Sequence, residues 1–352
     1  LIQVSALTVL SQSLLAQAPL QLPPTRIASY DMFDFSTLSP SSPYIVPYGI
    51  SNDGKVTGVL QDPITSEDHA FIYANGVLQD LGDLGYSAGA DGVAINNSAQ
   101  VAATGYGPGY HALLYANGHV THLGSLDGGF SVGLAINNLG HIVGRAINGD
   151  GQAQGFVYIN GPMTAINPYV DILRSINDSD QFAGSIAFFW SQGGGMVSVE
   201  HALLDSGGTL IDLGSIGGGS HTASESFSVN NAGQVTGYST AADGSQHAFL
   251  YSGGVLSDLG TFPPYSTRGL SINDSGVIVG DITTSFGDPL AAFLYENGEM
   301  VNFSDLIGTA AADWSELAVN QIDNQGRIIG SGTVNGATHG FLATPAKSIH
   351  TH

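Results

Sequence analysis

Only seven Lys and Arg stand among 352 residues, so each one invites an account. Arg174 and Arg268 fall at related points of a repeated segment, and Glu225 falls at a matching point between them. A guanidinium binds a carboxylate through two parallel N–H bonds. Two Arg beside a Glu would therefore suit an acidic sugar or another carboxylate. His221 could act as a base, Arg174 or Arg268 could neutralise a uronate, and Glu225 could orient or protonate. That is proton abstraction α to a carboxylate, the chemistry of a polysaccharide lyase. A glycoside hydrolase would instead need two carboxylates at a set separation, with Glu225 and Asp91 as the candidates. The chain's two Trp, Trp190 and Trp314, lie in its two enlarged segments and would suit stacking on a sugar face. The competing structural reading pairs the Arg with acids to satisfy the fold and uses the Trp as apolar anchors.

Composition narrows the partners. Twenty-nine Asp and Glu against seven Lys and Arg give a formal charge of −22. A nucleic-acid surface needs clustered cations to displace phosphate counterions, and such acidity also disfavours anionic lipid. The absence of Cys removes disulfides, a thiol nucleophile and thiolate metal ligands. No H-E-x-x-H motif, phosphate loop or Ser nucleophile elbow is present.

The elements that would position these residues come from an internal repeat. Ile-Asn-Asn/Asp-x-Gly, an apolar run, His-Ala-Phe-Leu-Tyr and Asp-Leu-Gly recur in order. The copies begin at Ile50, Ile95, Ile136, Ile176, Val229, Ile272 and Ile322, with spacings of 45, 41, 40, 53, 43 and 50. Each copy holds four short apolar runs separated by turn residues such as Asn160-Gly161. Four strands per unit of this length is the pattern of propeller blades. The last copy lacks its fourth strand, whereas Arg26 to Phe35 is an unassigned alternating run ahead of the first copy. We therefore expect an all-β, seven-bladed propeller over residues 26–346, closed by an N-terminal strand that completes the last blade. Counting back from each landmark Ile or Val places Arg174 and Asn320 two residues inward. Asp91, Glu225 and Arg268 lie four residues inward, all on the innermost strands. Five His, at 69, 111, 201, 247 and 339, share one repeat position, and radial symmetry assigns them a structural role between strands or blades. The Asn-rich turns offer too few acids per copy for a strong metal site. Calcium is the one ion they could hold, and no other cofactor is expected.

The ordered His-Ala-Phe, Asp-Leu-Gly and Ile-Asn-Asn/Asp-x-Gly elements over residues 50–345 resemble the bacterial extracellular repeat family named after its His-Ala-Phe motif. The resemblance implies an exported bacterial protein and carries no catalytic residues. Leu1 to Leu15 is apolar and uncharged and is followed by Ala16-Gln17-Ala18, which reads over residues 1–18 as the remnant of a secretory signal. Residues 347–352 form a short tail, and no later run is apolar enough for a membrane span. The expected location is extracellular or periplasmic. The expected role is a non-enzymatic module for an extracellular glycan or cell-surface component, with self-assembly a further option. A carbohydrate-active enzyme using the irregular copies four to six is the alternative.

Overall fold

The computed structural model describes residues 29–192, 195–218 and 222–346. The signal segment at 1–18, the tail at 347–352 and His221 lie outside them. Seven four-stranded antiparallel sheets stand around an axis. The inner strands are Ile45–Ile50, Ala90–Ile95, Ser131–Ile136, Val170–Ile176, Ser224–Val229, Ser266–Ile272 and Ser315–Ile322. In six blades, the strands follow one another outward in chain order. In the seventh, the outermost strand is Tyr30–Asp34, paired antiparallel with Ala337–Pro345. The N-terminal strand thus closes the ring as the sequence predicts. Among the described residues no helix is long and apolar enough to cross a membrane.

The repeated motifs interlock within each blade. The Phe or Leu of the His-Ala-Phe motif is fully buried in all seven blades, from Phe71 and Leu113 to Phe341. It lies opposite a small residue of the second strand, Gly237 against Phe249 for example. A Cβ at Gly237 would come within 1.8 Å of the Glu225 carbonyl oxygen, so the close strand approach excludes any side chain there. The His two residues before this Phe clips the third strand to the fourth where the fourth carries an Asp; in blade 2 His122 stands in the acid's place and His111 packs against Tyr86. His69 Nδ1 lies 3.1 Å from Asp80, His201 Nδ1 3.0 Å from Asp212, and His247 Nδ1 2.9 Å from Asp258. Each Asp also accepts the N–H of the Gly two residues on, at 2.7–2.8 Å. In the closing blade Asp34 takes this place. It lies opposite Phe341, contacts His339 Nδ1 at 2.8 Å and caps the Ser36 N–H at 2.8 Å, ahead of a 3-10 turn over Phe35–Leu38. Asp34-Phe35-Ser36 is thus the seventh Asp-Leu-Gly. Where the His is missing, as at Gln154 and Ala291, the acid is missing too: Ala165 and Asn302 stand opposite Phe156 and Phe293.

The Asn-rich turns form a second, circular device at one end of the axis. Asn97 N–H donates to Asn138 Oδ1, and the same bond runs from Asn138 to Asp178, Asn231, Asp274, Asn324 and Asn52, at 2.8–3.1 Å. The Asp53 N–H returns the circuit to Asn97 Oδ1 at 3.2 Å. The preceding Asn of each turn reaches the next blade's carbonyl, as Asn96 Nδ2 does to Asn137 O at 3.0 Å. At the ring's junction those Asn are replaced, and Arg327 and Lys55 donate instead to the Asn52 and Asn97 carbonyls, at 3.3 and 2.9 Å. These side-chain oxygens already accept hydrogen bonds across the blades. Among the described residues no group of three or more His, Asp or Glu is placed to hold a metal ion.

Candidate functional site

Strand alternation puts the Asn turns and outer hairpins at one face. The blade-to-blade connections and the links between second and third strands lie at the other, here the loop face. Glu225 and Arg268 lie towards this second face on the inner strands of blades 5 and 6, and Arg174 stands deeper on that of blade 4, where it also lines the axial cavity. Arg174 and Glu225 come together: Nη2 lies 2.6 Å and Nε 2.7 Å from Oε1, and the guanidinium rests 5.0 Å above the Phe227 ring. Arg268 turns to its own blade, where Nη2 meets Asp281 on the neighbouring strand at 3.2 Å. Its Nε is buried without a partner among the described residues. Both guanidinium groups are therefore already engaged by carboxylates, and the acids outnumber them once Asp171 and Glu200 are included.

The electrostatics show that these groups share one environment. Tyr238, cross-strand from Glu225, is pushed up to about 12 by burial, and then by the negative charges of Glu225 and Glu200; Arg174 and Arg268 oppose the rise. Burial, Asp171 and Glu225 likewise raise Glu200. Burial lifts Asp281 to about 6 against the pull of Arg268. A desolvated carboxylate is costly even when paired.

Asp91 belongs to a different sector. Its Oδ2 accepts the Tyr106 hydroxyl at 2.7 Å, its Oδ1 is buried without a partner among the described residues, and burial raises its pKa. Tyr106 packs edge-on to Tyr110, and Tyr110 edge-on to Phe130, at 5.5 and 6.3 Å. Together with Gly107, Pro108 and Gly109 they line a cleft of ≈ 470 Å³ between blades 2 and 3. Phe130 lies so close over Gly109 that a Cβ there would meet the ring at 2.3 Å. Arg145, on the second strand of blade 3, is exposed, and among the described Lys and Arg it alone has no carboxylate within ion-pair distance.

The aromatic residues are distributed unevenly. Tyr110, Phe130, Tyr169, Phe188, Phe189, Tyr265 and Phe286 are exposed on loop-face connections or strand ends, whereas Tyr48, also exposed, lines the axial cavity at the Asn-turn end. Phe286 reaches 93% exposure. Blade 4 carries the longest hairpin among the described residues, Phe182–Gln192 with Gly195–Ser206, and Trp190 sits on it opposite Val197. Trp314 has another use. It is half-buried against the core of blade 7, edge-on to Phe341 at 5.6 Å and to His339 at 6.3 Å. Thus the structure joins Arg174 to Glu225, separates Asp91 and Trp314 from them, and adds Arg145, Tyr238 and Asp281. The added residues are the cross-strand partners of the column four back from the landmark. That neighbouring column varies as strongly as the one containing Asp91, Glu225 and Arg268, and its variation is visible in the sequence.

No family model matches the chain, and no curated protein matches it. Among solved structures it is similar to the β-propeller domain of the Trilobed protease from Pyrococcus furiosus. That likeness has 10% identity and a TM-score of 0.50 over 76% of this chain and 84% of that one. It is also similar to a puromycin hydrolase, with 13% identity and a TM-score of 0.56 over 89% of this chain and 55% of that one. A puromycin-hydrolyzing peptidase of Mycobacterium tuberculosis follows, with 9% identity and a TM-score of 0.55 over 92% of this chain and 55% of that one. The chain spans about half the length of these two proteins. At such identities the likeness is one of fold alone.

Proposed function

We propose that this chain is an exported, non-catalytic binding propeller whose loop face takes an extracellular glycan. The carrying observation is the concentration of exposed aromatic rings beside charged, hydrogen-bonding residues on that face, which holds seven of the eight exposed aromatic residues among those described. Aromatic rings offer flat apolar surface to the C–H face of a sugar, and carboxylates beside them accept its hydroxyl protons. The Tyr110–Phe130 cleft, with Asp91 behind it and Arg145 nearby, supplies both in one place. Export rests on the N-terminal apolar run and its small-residue cleavage pattern. Membership of the His-Ala-Phe repeat family accords with the motif order and with the His–Asp clips.

An array of neutral and acidic oligosaccharides, followed by calorimetry on the hits, tests this reading. Saturable binding that falls at least tenfold in Phe130→Ala or Tyr110→Ala, with unchanged thermal unfolding, supports it. Binding to none of the array, or binding indifferent to both substitutions, refutes it.

A further inference from the structure

The axis contains a second chamber that the loop-face site does not use. At the Asn-turn end a cavity of ≈ 520 Å³ is bounded by the inner strands of all seven blades. Its wall carries hydrogen-bonding side chains on blades 4 to 7, beside Arg174, Phe227 and Leu270, and is apolar on blades 2 and 3. On blades 4, 5 and 6, Ser175, Ser228 and Ser271 each accept an N–H from the next blade, at 3.1, 3.3 and 3.2 Å. On blade 7, Gln321 Oε1 accepts the Ile50 N–H at 2.8 Å. These bonds fix the side chains and engage their acceptor sides. The three hydroxyl protons and the Gln321 amide protons have no acceptor among the described residues, and all four residues line the cavity. Blades 2 and 3 contribute Val93, Ala94, Leu134 and Ala135 to the facing wall. An arc of donors thus faces an apolar arc, with Asp178 and Asp274 in the ring at the mouth.

We propose that this cavity is a binding site for one small neutral polyol ring, a pyranose unit. Such a molecule presents acceptor oxygens along one edge and a C–H surface on the other, which matches the two arcs. A metal cation is disfavoured by the donors and by Arg174, and an anion by the two carboxylates at the mouth, the Arg174 charge being already engaged by Glu225. The site borders the loop-face floor at Arg174, whose guanidinium Glu225 holds, but it opens at the other end of the axis and shares none of the exposed loop-face aromatic residues.

The test uses the full chain with three probes, methyl β-D-glucopyranoside, methyl β-D-galactopyranoside and D-glucuronate, followed by saturation-transfer NMR and calorimetry. At least one neutral glycoside should bind saturably at millimolar concentration, and glucuronate at least tenfold more weakly. Ser228→Ala and Ser271→Ala should each weaken the glycoside about 3- to 10-fold, the worth of one neutral hydrogen bond. Leu134→Trp, which fills the cavity, should abolish it while leaving any loop-face oligosaccharide binding intact. Phe130→Ala should leave the glycoside unaffected. No saturable binding of either glycoside overturns the proposal. So does glucuronate binding as tightly as the glycosides, or binding that survives both Ser substitutions. The Ser variants decide the matter should the Trp variant not fold.

Discussion

Replacing Asp34 with Ala removes two contacts that fasten the ring shut: the 2.8 Å cap to the Ser36 N–H and the 2.8 Å contact with His339 Nδ1. Loss of a side-chain cap costs about 1 kcal/mol. The His–Asp contact, with side chains 22% and 25% exposed, adds up to about 1 kcal/mol. Local opening of the Tyr30–Asp34 strand should therefore become easier by about 2 kcal/mol, a factor of about 30 in its equilibrium constant. Native-state hydrogen exchange reads this directly, because strands open locally as cooperative units. Amides of 30–34 and 341–345 should exchange about 30-fold faster in Asp34→Ala. Asp34→Asn retains an acceptor for the cap and should show a smaller increase. Asp80→Ala removes the equivalent clip within blade 1, so its effect should stay among residues 68–82 and spare the closure. The reasoning is refuted if Asp34→Ala changes closure-strand exchange by less than about threefold, or if Asp80→Ala loosens that strand equally.

Further outcomes follow from the same geometry. Gly237→Ala would drive a Cβ into the Glu225 carbonyl and should cost more than about 3 kcal/mol, read as collapse of soluble yield or a large fall in unfolding temperature. Gly253→Ala, at a positive-φ hairpin with open space around it, should cost only about 1 kcal/mol. Asp281 has a folded pKa of about 6, above its unfolded value, so the folded state takes up its proton first. Its contribution is fully present below about pH 4 and is lost as pH rises through 6. Relative to Asp281→Asn, the native chain should therefore gain about 2 kcal/mol between pH 7 and pH 4.5 in paired urea titrations. A gain in the opposite direction would show that Arg268 outweighs burial. Asn231→Ala removes the Asp178 N–H acceptor and the Asp274 contact from the Asn ring and should lower stability by about 1 kcal/mol or more without altering loop-face oligosaccharide affinity, by thermal unfolding and calorimetry.

Much of the architecture was legible because it repeats. Seven landmarks and one missing strand dictate a closed ring, and Tyr30–Asp34 sits inside the run assigned to closure. Asp34-Phe35-Ser36 did not read as the seventh Asp-Leu-Gly, because Phe replaces Leu and Ser replaces Gly, and only the shared register with Phe341 reveals the identity. The inter-blade role of the Asn turns was equally hidden, since each bond joins residues 40 or more positions apart. For the site, the meeting of Arg174 with Glu225 follows from inner-strand counting. That counting alone does not show that Arg268 turns to Asp281, because the decisive partner lies on the adjacent strand. Trp314 was singled out by rarity, yet rarity does not distinguish a ring facing solvent from one wedged against Phe341. Arg145 escaped notice because its neighbours in the repeat are not charged alike. Its exposure and lack of a partner appear only when the blades are assembled.

The most direct measurement is residue-resolved NMR mapping of the full chain with an oligosaccharide drawn from the array. The account predicts that amide shifts on binding concentrate in the loop-face connections, around 106–110, 130, 145 and 188–189, with the outer strands of every blade unchanged. Shifts confined to the outer edges of the blades, or spread evenly over both faces, would contradict it.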